Sequence, residues 1–229
     1  MAASPLLQGA SLKNNFSAQQ VVQANVTRLQ SLPLVLAELS PPEIESPQWY
    51  REKSGTGTSP VRTKPNKSTV TYTISTKGTT SANMQEFAAQ VNETLNDARG
   101  WAQLGVSFKQ VQSGGDFDLV LSQAELLPSF SSGCSVEWSC RVGKSVIVND
   151  MRWRDATDAW NRAGGSMRDY RHMVINHEVG HWLGHGHLNC SAPGVPAAVM
   201  QQQSIDLQGC RFNPWPLKSE LWSTTLGVR

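Results

Sequence analysis

Val70, Tyr72 and Ile74 alternate with threonine and serine, the two-residue period of a strand with one buried face. A different period follows. Phe87, Val91 and Leu95 recur every four residues, which sets them on one face of a helix running to about Ala98, with Ser81 as its cap. Val106 to Val111 and Phe117 to Leu121 read as two more strands, divided by Gly114-Gly115. Trp138 to Val142 and Ser145 to Val148 read as another pair, with Gly143-Lys144 as the turn. After a tryptophan-rich connection, Tyr170, Met173, Val174, Val179 and Leu183 mark an apolar stripe on a helix over about 167–183. Asp169 suits the first turn of that helix. The order strand, helix, several strands, helix, irregular tail predicts an α+β domain in which helices cover a twisted mixed β-sheet.

Residues 1–66 lack this patterning. They hold no cysteine and are rich in glutamine, serine and proline. Val21 to Leu32 predicts one short helix ended by Pro33. Ser40 to Asn66 carries five prolines and a Gly-Thr-Gly-Thr stretch, the composition of a linker. We therefore divide the chain into a flexible N-terminal stalk, linker or prosegment (1–66) and a functional domain (67–229). As a prosegment the first part has no cysteine or aspartate to offer a metal, and Glu43 and Glu45 are the candidate ligands there. A disordered tether is the simpler reading.

Candidate chemistry concentrates in residues 177–187, HEVGHWLGHGH. Histidines four apart share a helix face, so His177 and His181 can offer imidazole nitrogens to one ion. Glu178 reaches toward the same face and can act on a water without being a ligand. Gly184 tolerates the positive φ at which a helix ends, and the turn can bring back a further histidine. Both His185 and His187 lie beyond it. His172, five residues before the first histidine, is turned about 140° away on the helix and reads as a packing or surface residue.

These eleven residues match H-E-x-x-H-x-x-G-x-x-H, the elongated zinc signature of metzincin metallopeptidases. Met200 follows His187 by thirteen residues and resembles the methionine turn that lies beneath the metal in that family. Tyr170-Arg171, Met200-Gln201-Gln202-Gln203, Gly209-Cys210 and Asn213-Pro214-Trp215-Pro216 resemble an actinobacterial family of secreted or surface-anchored metzincin-like proteins. The resemblance spans roughly residues 68–216. It implies a zincin-like fold with a backing helix, a zinc-site helix and an irregular C-terminal subdomain. It implies one catalytic Zn2+ on His177, His181 and His187, with Glu178 as general base and peptide or protein as substrate. Its spacing selects His187 over His185, which becomes a solvent or supporting histidine. Some metzincins bring a tyrosine to the metal two residues after the methionine; here that position is Gln202.

Charge and cysteine content bound the setting. Twenty Lys and Arg against eighteen Asp and Glu give a net +2, which offers no reason to propose nucleic acid or an anionic membrane as partner. No apolar run is long enough to span a bilayer, and the N-terminus does not read as a signal peptide. An exported protein would be present here in a mature or trimmed form, and we expect a monomer. Cys134, Cys140, Cys190 and Cys210 allow three pairings. The local pairs Cys134–Cys140 and Cys190–Cys210 are the simplest, with free buried thiols as the alternative. Pairing would imply an oxidising, extracellular or cell-surface location. Of the eight tryptophans, Trp182 and Trp215 are candidates for cleft walls, and packing roles are expected for most. The edge Ser135–Val142 is a candidate to align a peptide, and the chain between Gly194 and Gln203 a candidate for the facing wall. The expected activity is zinc-dependent endopeptidase hydrolysis. The rivals are a non-catalytic, metal-stabilised binding module and a latent protease covered by its N-terminal segment.

Overall fold

The computed structural model describes residues 64–229. The helix expected over Val21 to Leu32 and the linker reading of 1–66 lie outside the described residues, apart from its last three positions. The elements are β1 (Thr69–Lys77), α1 (Met84–Asn96), β2 (Ser107–Gln110), β3 (Phe117–Ser122), β4 (Cys140–Val142), β5 (Ser145–Asn149), α2 (Asp150–Asp155), α3 (Asp158–Arg162) and α4 (Met167–Leu183). The strands form one sheet in the order β2-β1-β3-β5-β4. Three pairings are parallel and β4 runs antiparallel to β5 at the edge, so the sheet is mixed as expected.

Alternation decides which side chains meet the helices. Val70 and Tyr72 of β1, Leu119 and Leu121 of β3, and Val146 and Val148 of β5 join one core with Phe87, Val91 and Leu95 of α1. The intervening Val120 and Ile147 point into a second, smaller cluster with Leu127 and Cys134 on the other face. α1 lies against α4: Arg171 pairs with Glu86 at 2.6 Å, and the Gln90 amide donates to the Arg168 carbonyl at 3.0 Å. The first turns of α4 therefore rest on α1 rather than on a loop.

Three expectations need correction. The cap of α1 is Asn83, whose side chain accepts from the Gln85 and Glu86 N–H groups, not Ser81. The edge strand begins at Cys140, not Trp138. The tryptophan-rich connection contains the short helices α2 and α3, whose Trp153 and Trp160 are buried in the core. Neither helix has enough turns to show a period.

Beyond α4 the chain has one 3-10 turn, Lys218–Glu220, and otherwise irregular backbone. Side chains satisfy that backbone in place of a ladder. The Gln203 amide donates to the carbonyls of Ala198 and Asn213, and its oxygen accepts from Asn213 N–H. Asn213 donates in turn to Ala197 and Trp215. Cys190–Cys210 and Cys134–Cys140 are both disulfides, the two local pairings. Among the described residues no helix is long and apolar enough to cross a membrane.

Candidate metal centre

α4 starts where the Ser166 side chain accepts from Asp169 N–H at 3.0 Å, with the acidic residue in the first turn. It stops at Gly184, whose φ of 108° is left-handed. Gly184 N–H donates to the His181 carbonyl and His185 N–H to the Gly180 carbonyl, closing the last turn. A Cβ at Gly184 would overlap the Thr224 hydroxyl, so glycine is required twice over, by conformation and by space.

The turn brings His187 back beside the helix. Donor atoms of His177, His181 and His187 lie within 4.8 Å of one another, and the Nε2 atoms of His181 and His187 are 3.2 Å apart. Two nitrogens on a tetrahedral zinc would be about 3.3 Å apart, each roughly 2.0–2.1 Å from the ion. Tautomers are set from outside. The His177 Nδ1 lies 2.8 Å from the Val199 carbonyl and the His181 Nδ1 2.9 Å from the His185 carbonyl. A carbonyl only accepts, so both Nδ1 atoms carry the proton and both Nε2 lone pairs face the gap. Burial, helped by the neighbouring His181, lowers the His177 pKa to about 3. Burial also pushes His181 and His187 down. All three rings are thus held in the neutral form that binds a metal.

Glu178 is buried and its Oε2 has no hydrogen-bond partner. Burial raises its carboxyl to about 8. An orphaned carboxylate oxygen beside three convergent imidazoles fits a site completed by a metal ion and its water. The four residues open into a cleft of about 370 Å³. One wall is Ser135 to Arg141 with edge strand β4, apart from residues 136 and 137. The other is Gln202 to Ile205, slightly later than the expected 194–203. Trp138 lines this cleft and neither Trp182 nor Trp215 does. Trp182 packs on Phe117, and Trp215 packs on His172 and Arg99.

Residues 48–210 match the family described as a protein of unknown function (DUF3152). The chain belongs to that family. The match begins inside the stretch that composition sets apart as linker. No curated protein matches the chain. Among solved structures it is similar to the archaemetzincin of Methanopyrus kandleri, at 16% identity over 69% of this chain and 94% of that one, with a TM-score of 0.41. A likeness of that size carries no functional conclusion.

The site of this DUF3152 chain depends on residues that sequence reasoning passed over. Glu220, twenty residues beyond Met200, accepts from Val199 N–H at 3.0 Å, Met200 N–H at 2.9 Å and Leu217 N–H at 2.8 Å. Burial pushes its carboxyl up and these three donors pull it back. Glu220 thereby fixes the segment whose Val199 carbonyl orients His177. Leu188 N–H donates to the Met200 carbonyl at 3.0 Å, so the same segment also holds the chain beside His187. Arg141 donates to the His181 carbonyl at 2.9 Å. His185 is not a solvent histidine: it is buried between Trp101 and Trp222 and bonded to the Trp222 carbonyl. It supports the site through its own carbonyl, on His181. His172 is a packing residue, 2.8 Å from the Thr94 hydroxyl. The available signal was weak: a lone glutamate in an irregular tail has no pattern to read.

Proposed function

We propose that this chain is a zinc-dependent endopeptidase. One observation carries the reading: three imidazoles, two of them with Nδ1 held on a backbone carbonyl, converge beside a buried, partnerless carboxyl oxygen, in a cleft open to an edge strand. His177, His181 and His187 are the residues that would hold the ion, and Glu178 stands next to them without being needed as a ligand. Zinc held by three histidines supplies a Lewis acid that lowers the pKa of its water and polarises the scissile carbonyl.

Glu178 receives the proton of the attacking water at its carboxylate and later delivers it to the departing amine. β4 is the sheet's edge strand, so its outward backbone groups can pair with an extended peptide. Met200 forms an apolar floor under the rings. The disulfides support an extracellular or cell-surface setting, where residues 1–66 serve as a tether.

The test is incubation of zinc-loaded protein with a mixed peptide library, read by mass spectrometry, with and without a chelator. The proposal expects internal cleavage that the chelator abolishes and zinc restores. Absence of cleavage in a protein that binds stoichiometric zinc would favour a binding module instead.

A further inference from the structure

The cleft has a charge asymmetry that the proposed hydrolysis does not use. Arg141 and Arg152 both line it, and Glu178 is the sole carboxylate among its described lining residues. Arg141 is engaged at the edge strand through the His181 carbonyl. Arg152, in α2, is half-buried. Its Nε donates to the Glu137 carbonyl at 2.8 Å and its Nη1 to the Ala156 carbonyl at 3.0 Å. Its guanidinium carbon is 5.4 Å from the centre of the Trp138 ring.

Those bonds position the guanidinium without neutralising it. Arg99, Arg154, Arg168 and Arg171 each have a carboxylate partner, whereas among the described residues Arg152 has none and its Nη2 has no hydrogen-bond partner. The wall beside it is uncharged. The Tyr170 and Ser204 hydroxyls lie 3.0 Å apart, and burial pushes the phenol up to about 12, so it stays protonated. A fixed cationic fork in a partly desolvated cleft is a receptor for a carboxylate.

We infer that the cleft selects acidic peptides, with Arg152 holding a glutamate or aspartate side chain close to the scissile bond. The selection rests on the peptidase reading of the cleft, and Arg152 acts in specificity, on the substrate rather than on the reacting water. The arginine is pre-positioned by two carbonyls, so binding an anion orders little that is not already ordered.

Three alanine-based peptides with a central glutamate, glutamine or lysine serve as probes. Fluorescence anisotropy measures their binding to the Glu178→Gln protein, and mass spectrometry follows their cleavage by the unaltered one. The glutamate peptide should bind at least about tenfold more tightly than its glutamine twin, the scale of one charge-assisted hydrogen bond, with the lysine peptide weakest. Adding Arg152→Met should bring the glutamate-to-glutamine ratio close to one, Arg152→Lys should keep part of it, and Arg154→Met on the same helix should keep all of it. Should Arg152→Met fail to fold, the order of the three peptides decides. Equal affinities for the three overturn the inference. Preferential binding of glutamate without cleavage of any peptide overturns the peptidase reading and leaves acidic recognition standing.

Discussion

The sulfur of Met200 occupies the space that a side chain at Gly180 would need: a Cβ added there would overlap it, and would also crowd the ring of Trp101. Gly180 lies between His177 and His181, on the helix that carries both. The missing side chain lets the methionine segment approach the helix closely enough for the Val199 carbonyl to reach His177 Nδ1. Fold packing and ring orientation thus meet at one glycine.

Gly180→Ala should therefore destabilise the protein. At an open helical position the same change would add about 1 kcal/mol of stability; here overpacking should cost about 1–3 kcal/mol. Urea unfolding of the zinc-free protein checks the sign. Combining Gly180→Ala with Met200→Ala should cost less than the sum of the two single changes, because the clash is with that side chain. A stabilising Gly180→Ala would mean that the segment moves away at no cost.

Much of the framework was legible because burial imposes a period. Val70 and Tyr72, then Phe87, Val91 and Leu95, are fully buried, as their spacings predict. The histidine string predicted its own helix and its glycine stop, since each depends on local geometry, whereas the choice of His187 over His185 came from the metzincin resemblance. The cap at Asn83 was missed because Ser81 offers the same chemistry two residues earlier. α2 and α3 are too short to show a stripe. Gly180 sits at an unspecified position of the motif, and its reason lies twenty residues away, in Met200. Glu220 and Arg152 act through backbone groups distant in sequence, which no local pattern announces.

Two histidines should separate metal binding from packing. His181→Ala should lower zinc affinity by more than about a hundredfold, since even partners that only orient a ligand are worth 10–100-fold. His172→Ala should leave zinc stoichiometry intact and lower the unfolding midpoint, because its ring fills the space between Thr94 and Trp215. Zinc titration with a competing chelator, paired with thermal unfolding, reads both. A comparable loss of zinc in the two variants would contradict the assignment.

The Cys190–Cys210 bond closes a loop with a sequence separation of 20 that carries Met200. Replacing both cysteines by alanine should cost about 3 kcal/mol in the chain-entropy account. Zinc affinity should fall with it, because the loop presents Val199 to His177. Denaturant unfolding and zinc titration of the double variant check this. Lower stability with unchanged affinity would confine the bond to a structural role.

Acid should weaken the fold through two carboxyls far from the metal centre. A hydrogen bond from the Arg99 side chain holds Asp97 below its ordinary value. Burial pushes Asp116 up, but hydrogen bonds from Lys67 and Thr71 outweigh it, so its net shift is also downward. Folded values below unfolded ones give a contribution that is full above about pH 4 and is lost as the pH falls through the folded values. The Asp97→Asn, Asp116→Asn double variant should be less stable at neutral pH and lose less stability on acidification. Urea midpoints at neutral pH and below pH 4 test it, and parallel losses in both proteins would count against it.

The most direct measurement is zinc content and peptide hydrolysis on one preparation of Glu178→Gln. Glutamine keeps the shape of the side chain and cannot accept the proton of water. Zinc should stay at the unaltered stoichiometry on His177, His181 and His187, while hydrolysis should fall by on the order of a hundredfold or more. Hydrolysis undiminished by the substitution would contradict the account, and zinc lost in step with activity would make Glu178 a structural residue of the site.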